Sequence, residues 1–398
     1  MVPVISFGLI FVTIISHAQT RFDNENVYKF SHEIINNFDK GGKTDFAKAS
    51  QDFSFIGDYK NALLFDGKFR QPYASIKNTD SSFFKRFHAI DAAEYIISRA
   101  EKEQVIIINE AHHFPFHRVF IASLLQGLYA RGFRYYGAET LDFSDSLINQ
   151  RKYPLLSSGY YTAEPQFGNL VRDALTQGFT VFAYEARTME TISNPKLREI
   201  EQAKNIQQIL RSDPSAKILI HAGYDHIRED SLGGTWEKAM ASRLRELTGI
   251  NPFTINQEVL TERVDPSLEN PFFRMISVQV PSVFIDESGN VFSGPDGTNY
   301  YDVRVCHPRT RFIENRPHWL FIGNRKAIHL KKENLIVGFP CLIQAYNATE
   351  DPAIAVPVDV IEISSAEINK PLVLAPGYYK VLIKGTGRKK NMIDLSVR

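Results

Sequence analysis

The sequence predicts an α/β fold, a parallel sheet with helices on both faces, followed by a C-terminal all-β domain. Three observations predict it. Between residues 101 and 262, short apolar runs alternate with stretches of helical spacing, the rhythm of strand–helix–strand units in a parallel sheet. Val105-Ile-Ile-Ile108 is continuously apolar, as a strand covered on both faces requires. After about Pro266 the helical spacing stops, and short alternating runs are separated by turn sequences such as Glu287-Ser-Gly-Asn290 and Pro376-Gly377.

The elements follow in order. The first residues are apolar and end at Ser16-His17-Ala18, a small-x-small pattern. The run is too short for a comfortable membrane span, so residues 1–18 are expected to be a signal peptide, with Gln19 first in an exported, periplasmic or secreted chain. No Lys or Arg precedes it, and a buried strand is the competing reading. Residues 19–100 form a mixed N-terminal subdomain with helices over Tyr28–Phe38 and Ala89–Lys102. In 101–262 a strand at Val105 is followed by a helix from about Pro115, a strand at Arg134–Ala138 and a helix ended by Gly178. Further strands fall at Thr180–Tyr184, Lys217–Ile220 and Phe253–Ile255, with helices at Pro195–Leu210 and Trp236–Leu247. In 263–398, strands are expected at Ile276–Val280, Tyr301–Val305, Cys341–Ala345 and Tyr378–Ile383.

Composition narrows the function. With 43% hydrophobic and 23% charged residues, the 398-residue chain is globular and large enough for two or three domains. A net charge of +1 gives no field for nucleic acid, so the expected partner is a small molecule or peptide. Cys306 and Cys341 are the only cysteines; they can pair in an oxidising compartment but have no metal-ligand spacing.

An internal repeat locates a site. Gly132-Phe133 and Gly178-Phe179 each lead through five residues to a glutamate, Glu139 and Glu185. In both, a glycine ends a helix, a strand follows, and the glutamate stands at its C-terminal end. The first strand ends in Asn109-Glu110-Ala-His112-His113 and the fourth in His221-Ala-Gly-Tyr-Asp-His226. Parallel strands share one carboxyl edge, where ligands bind. Glu110, His112, His113, Glu139, Glu185 and His221 are therefore the catalytic candidates. His112 and His113 cannot point the same way in extended backbone.

The same residues carry a resemblance. Ile-Ile-Asn109-Glu110-Ala-His112-His113, a helix, then Gly132-Phe133 and Ala138-Glu139-Thr140 resemble the erythromycin esterase / ChaN-like group, related to TraB/Tiki hydrolases. Arg198-Glu199, Ala203-Lys-Asn205 and Ile-Leu-Ile-His221-Ala-Gly-Tyr-Asp-His226 extend it over roughly residues 90 to 260. Asn109 stands where that group has glycine, and the double histidine fits both of its motif registers. The resemblance implies the α/β fold and a group containing esterases, peptidases and a haem-binding protein.

No Gly-x-Ser-x-Gly elbow, His-Glu-x-x-His, P-loop or dinucleotide fingerprint occurs. A His/Glu set can still activate water by general base catalysis against an ester or amide. It can also hold a divalent metal, for which Glu110, His112, Glu139, Glu185 and His221 are the candidate ligands. Arg118, Tyr161, Arg198 and His226 are candidate substrate-binding groups, the first three able to steady an oxyanion. Clustered carboxylates repel, so one of their pKa values should rise unless a cation stands among them. The rival reading is a non-catalytic exported protein binding haem, a metal ion or a small ligand.

Overall fold

The computed structural model describes residues 27–40, 45–294, 300–387 and 389–398. The expected signal peptide, 1–18, lies outside them. Among the described residues four helices come first: α1 (Ser31–Lys40), α2 (Phe46–Phe55), α3 (Tyr59–Gly67) and α4 (Asn78–Phe84). Asp45 and Asp58 cap α2 and α3 by accepting from the Lys48 and Asn61 amides. The helix expected over Ala89–Lys102 splits into β1 (His88–Asp91) and α5 (Ala92–Arg99). Asp91 is the reason: its side chain accepts from the Glu94 amide, so the helix starts behind it.

The α/β core continues with β2 (Val105–Glu110), α6 (Phe116–Ala130), β3 (Phe133–Ala138), α7 (Pro165–Gln177) and β4 (Thr180–Ala183). After these come α8 (Pro195–Ser212), β5 (Lys217–Gly223), a small hairpin of β6 (Ser231–Gly233) and β7 (Glu237–Lys238), α9 (Met240–Thr248) and β8 (Phe253–Leu260). The hairpin occupies the first residues expected of the last helix, because Gly233 and Gly234 turn the chain back at positive φ. Two more strands, β9 (Ser282–Ile285) and β10 (Val303–Cys306), complete an eight-stranded sheet of order β1-β9-β10-β8-β2-β5-β3-β4. From β10 to β4 the six strands are parallel; β9 is antiparallel to both its neighbours.

Side-chain alternation builds both faces. Ile106 and Ile108 of β2 point to α6 and α7, among Leu124, Leu128 and Val171. Val105 and Ile107 point the other way, to Ile206 of α8 and Leu244 of α9. These strand residues are fully buried, each contributing about 1.5–3 kcal/mol by leaving water.

The domain boundary expected at 262/263 falls inside the sheet, since β9 and β10 lie beyond it. The open edge of β8 is covered by this later chain. Ile276–Val280 forms no strand; the chain there follows a turn at Phe273–Met275. The β domain proper begins after His307. It comprises the pairs β11 (Phe312–Ile313) with β12 (Arg316–Pro317), and β13 (Lys326–Ile328) with β16 (Leu372–Leu374). Its main sheet is antiparallel, β15 (Asp359–Ile363), β14 (Cys341–Asn347), β17 (Gly377–Gly385), β18 (Lys390–Val397). The cysteines do not pair. Both are free, Cys306 in an aromatic cluster beside β9 and Cys341 in the core of the C-terminal sheet.

Both flanking units reach the sheet's carboxyl edge. Phe53, Phe55 and Ala62 share a core with Leu342, Val356 and Val360. Tyr59, Trp319 and Val373 close over Ala111, Phe114 and Phe116, the residues just past β2. Among the described residues no helix is long and apolar enough to cross a membrane.

Candidate active site

The chain turns at the ends of β2, β3, β4 and β5 bring most of the expected residues into one buried network. Glu110 ends β2 on the same face as Ile108, towards α6. Arg118, one turn into α6, meets it with a bidentate fork, Nε to Oε2 at 2.6 Å and Nη2 to Oε1 at 2.6 Å. Nη1 of Arg118 donates to Glu164 at 2.8 Å. His221 of β5 donates from Nε2 to Glu110 at 2.9 Å, while Tyr136 donates to its Nδ1 at 2.9 Å and Phe167 stacks on its ring. Burial alone would raise the Glu110 carboxyl, but Arg118 and His221 hold it well below the usual range.

Glu110 in turn aims His112. The imidazole Nδ1–H donates to Oε1 at 2.8 Å, Tyr161 stacks on the ring at 3.7 Å and Tyr224 meets it edge-on at 5.1 Å. The remaining nitrogen, Nε2, lies over Gly223. A Cβ built on Gly223 would stand 2.3 Å from His112 Cε1, 2.5 Å from Nε2 and 2.9 Å from Glu139 Oε2. The missing side chain is what lets imidazole and carboxylate converge there.

Glu139 follows β3, and its Oε2 accepts from the Gly223 amide. Its Oε1 accepts from Arg198 Nη2 at 2.9 Å. The same Nη2 also donates to Glu185 Oε2, so one guanidinium on α8 joins the two glutamates of the sequence repeat. Glu185 further accepts from Gln202 and the Ala186 amide. Burial would raise the Glu139 carboxyl; His226, His112 and Arg198 together hold it well below the usual range. The carboxyl pKa values at Glu110 and Glu139 thus fall, because cations stand among the carboxylates.

His226 is charged. Burial opposes the charge, yet Glu199 at 2.8 Å and Glu139 at 3.4 Å push its pKa up to about 10. Its Nε2 also lies 3.1 Å from Arg198 Nη1. Taken as a hydrogen bond, that contact needs an unprotonated nitrogen; three carboxylates around two cations favour the protonated ring. Trp236 of the β6–β7 hairpin covers it, ring centroids 5.1 Å apart.

His113 points away, into a second buried cluster. Its Nε2 is 3.4 Å from Asp66, which is paired with Arg70 and Arg263. Burial outweighs Asp66 and lowers the His113 pKa to about 4, leaving the ring neutral. A group with a depressed folded pKa takes up a proton on unfolding between its folded and unfolded values. His113 therefore contributes stability that is complete above about pH 6.5 and is lost as pH falls towards 4. The stability difference between wild type and His113→Asn should shrink by about 1.4 kcal/mol per pH unit in that window. Urea titrations of both proteins at pH 7.5, 6 and 5 check this; a constant difference would show that folding leaves the His113 pKa unshifted.

Several expected roles change. Arg118 is wholly buried and spends every arm on Glu110, Glu164 and the His112 carbonyl, so it cannot meet an oxyanion. Arg198 is committed to Glu139 and Glu185, whereas the ring of Tyr161 stacks on His112. His221 has both ring nitrogens engaged and positions Glu110. The five candidate metal ligands share no common ion position: guanidinium and imidazole N–H groups occupy Glu110, Glu139 and Glu185. Among the described residues no group of three or more His, Cys, Asp or Glu could hold a metal ion. Gly223, Glu164, Glu199 and the Asp66 cluster were not visible as site residues. Gly223 and Glu199 had a local signal, their places in His221-Ala-Gly and Arg198-Glu199.

The chain matches no protein-family profile and no curated protein. Similar solved structures include the type III effector HopBA1, at TM-score 0.35 and 12% identity over 56% of this chain and 96% of that one. A MARTX toxin effector domain, RRSP from Vibrio vulnificus, overlaps at TM-score 0.30 and 15% identity over 57% of this chain and 44% of that one. A structure described as bacterial protein toxins overlaps at TM-score 0.31 and 15% identity, over 56% of this chain and 45% of that one. The chain spans under half the length of the latter two, and overlaps of this size assign it no activity.

Proposed function

We propose that the chain is a hydrolase of an ester or amide bond that activates water between His112 and Glu139, as the erythromycin esterase / ChaN-like motifs lead one to expect. The observation that carries the reading is the convergence of His112 Nε2 and Glu139 Oε2 on Gly223. A water there donates one hydrogen to Nε2 and the other to the ionised Glu139 carboxylate. As its oxygen attacks the substrate carbonyl, the proton moves to Nε2. The new imidazolium is stabilised by Glu110, whose charge Arg118 and His221 hold in place. The same proton then passes to the leaving oxygen or nitrogen as the tetrahedral intermediate collapses. Glu139 is ionised, so it orients water and does not act as the acid. Glu110, Arg118, His221, Glu185, Arg198 and Tyr161 are positioning residues.

A panel of p-nitrophenyl esters and fluorogenic peptides tests this. The protein should turn over at least one class of probe. Gly223→Ala should lose about 10²-fold in kcat, since the new methyl displaces a ring pinned by Glu110 and Tyr161. Turnover unchanged in Gly223→Ala would place the chemistry elsewhere.

A further inference from the structure

A cavity lies beside Phe114, just past His113, and reaches Arg263. It measures about 230 Å³ and is bordered by Tyr59, Phe114, Phe312 and Trp319, with Lys60 and Glu262 at its wall. That is below the roughly 300–1,000 Å³ of drug-sized ligand sites, so an occupant is small. Tyr59, Phe114 and Trp319 are buried, whereas Phe312 is 41% exposed and Lys60 is exposed, which sets the mouth at these two.

The charges are the informative part. Arg263 also borders the cavity, but its guanidinium is spent on Asp66 and Glu258. Glu262 accepts the Thr310 amide at 2.9 Å and has no ion pair among the described residues. Arg309, the cation that acts on it, is held in a two-bond fork by Glu269. Burial raises the Glu262 carboxyl, as expected of a carboxylate short of a counter-charge. Lys60 is likewise without an ion pair among the described residues; its ammonium rests 4.4 Å above the Phe312 ring. One cavity therefore offers an unneutralised carboxylate, an unneutralised ammonium and aromatic walls.

We propose that this cavity binds a small zwitterion with an apolar side chain, a free aromatic α-amino acid, its ammonium on Glu262, its carboxylate on Lys60 and its side chain among the rings. The site is independent of the hydrolytic reading. Its wall includes Phe114, two residues past His112, so an occupant sits beside the segment that carries the proposed base.

The chain has two tryptophans, Trp236 and Trp319. In a Trp236→Phe background Trp319 alone reports on the cavity, and its fluorescence is titrated with three probes. Phenylalanine carries both charges, phenylalaninamide only the ammonium, and N-acetylphenylalanine only the carboxylate. Phenylalanine should give a saturable change and bind at least about tenfold more tightly than either derivative, each missing one charge-assisted contact. Glu262→Gln should remove its advantage over N-acetylphenylalanine, and Lys60→Met its advantage over phenylalaninamide. Lys60 is exposed, so its variant tests the proposal without risk to folding. Absence of a saturable signal together with absence of heat in calorimetry, equal binding of the three probes, or an advantage that survives both substitutions would overturn it.

Discussion

Arg118→Leu is expected to lose about 3–5 kcal/mol of stability at neutral pH, read from urea denaturation. The guanidinium is fully buried and is the direct cationic partner of two buried carboxylates, Glu110 and Glu164. Leucine fills much of the volume but leaves both charges in a low-dielectric interior, so the penalty is that of stranded ions rather than of lost packing. Arg118→Lys should recover little, because one ammonium cannot reproduce a fork to Glu110 and a third arm to Glu164. The Glu110 carboxyl, freed from its largest lowering influence, should titrate higher, and the variant should regain stability relative to wild type as acid neutralises it. A loss under about 1 kcal/mol would mean that the ion pair is not formed as described.

The second large effect is catalytic and separates two neighbouring histidines. His112→Ala should lower kcat by about 10²–10⁴ on an identified substrate, the usual contribution of a positioned general base. Tm should also fall, since Glu110, Tyr161 and Tyr224 lose a buried neighbour, so urea titration must confirm that the variant is folded. His113→Ala should differ in turnover: kcat close to wild type, with a lower Tm, because Asp66, Arg70 and Arg263 lose a packed neighbour. Loss of turnover in His113→Ala alone would assign the other motif register.

Much of this arrangement was legible in the sequence. The Gly-Phe-x5-Glu repeat placed Glu139 and Glu185 on one sheet edge, and they share one nitrogen of Arg198. His112 and His113 point apart, but they lie in the turn after β2, so the expectation drawn from extended backbone reached the right outcome through a geometry the chain does not have there. What the sequence did not show is how charges are apportioned. Arg118 and Arg198 stood out as candidates, but only geometry shows their N–H groups consumed by carboxylates and unavailable to substrate. Glu164 carries no motif and Glu199 only its place in Arg198-Glu199; they matter because α7 and α8 bring them to Arg118 and His226. Nor did local pattern reveal that β9 and β10 belong to the main sheet, since short strands between turns look alike whichever sheet they join.

A double-mutant cycle on kcat tests the central claim, that His112 and Glu139 act on one water. The cycle compares His112→Ala, Glu139→Gln and the double variant with wild type on the same substrate, with urea titrations confirming that each is folded. Because groups serving a single step are not additive, the double variant should fall no further than the worse single variant. Losses that multiply would place His112 and Glu139 in separate steps, and full activity in either single variant would remove that residue from the chemistry.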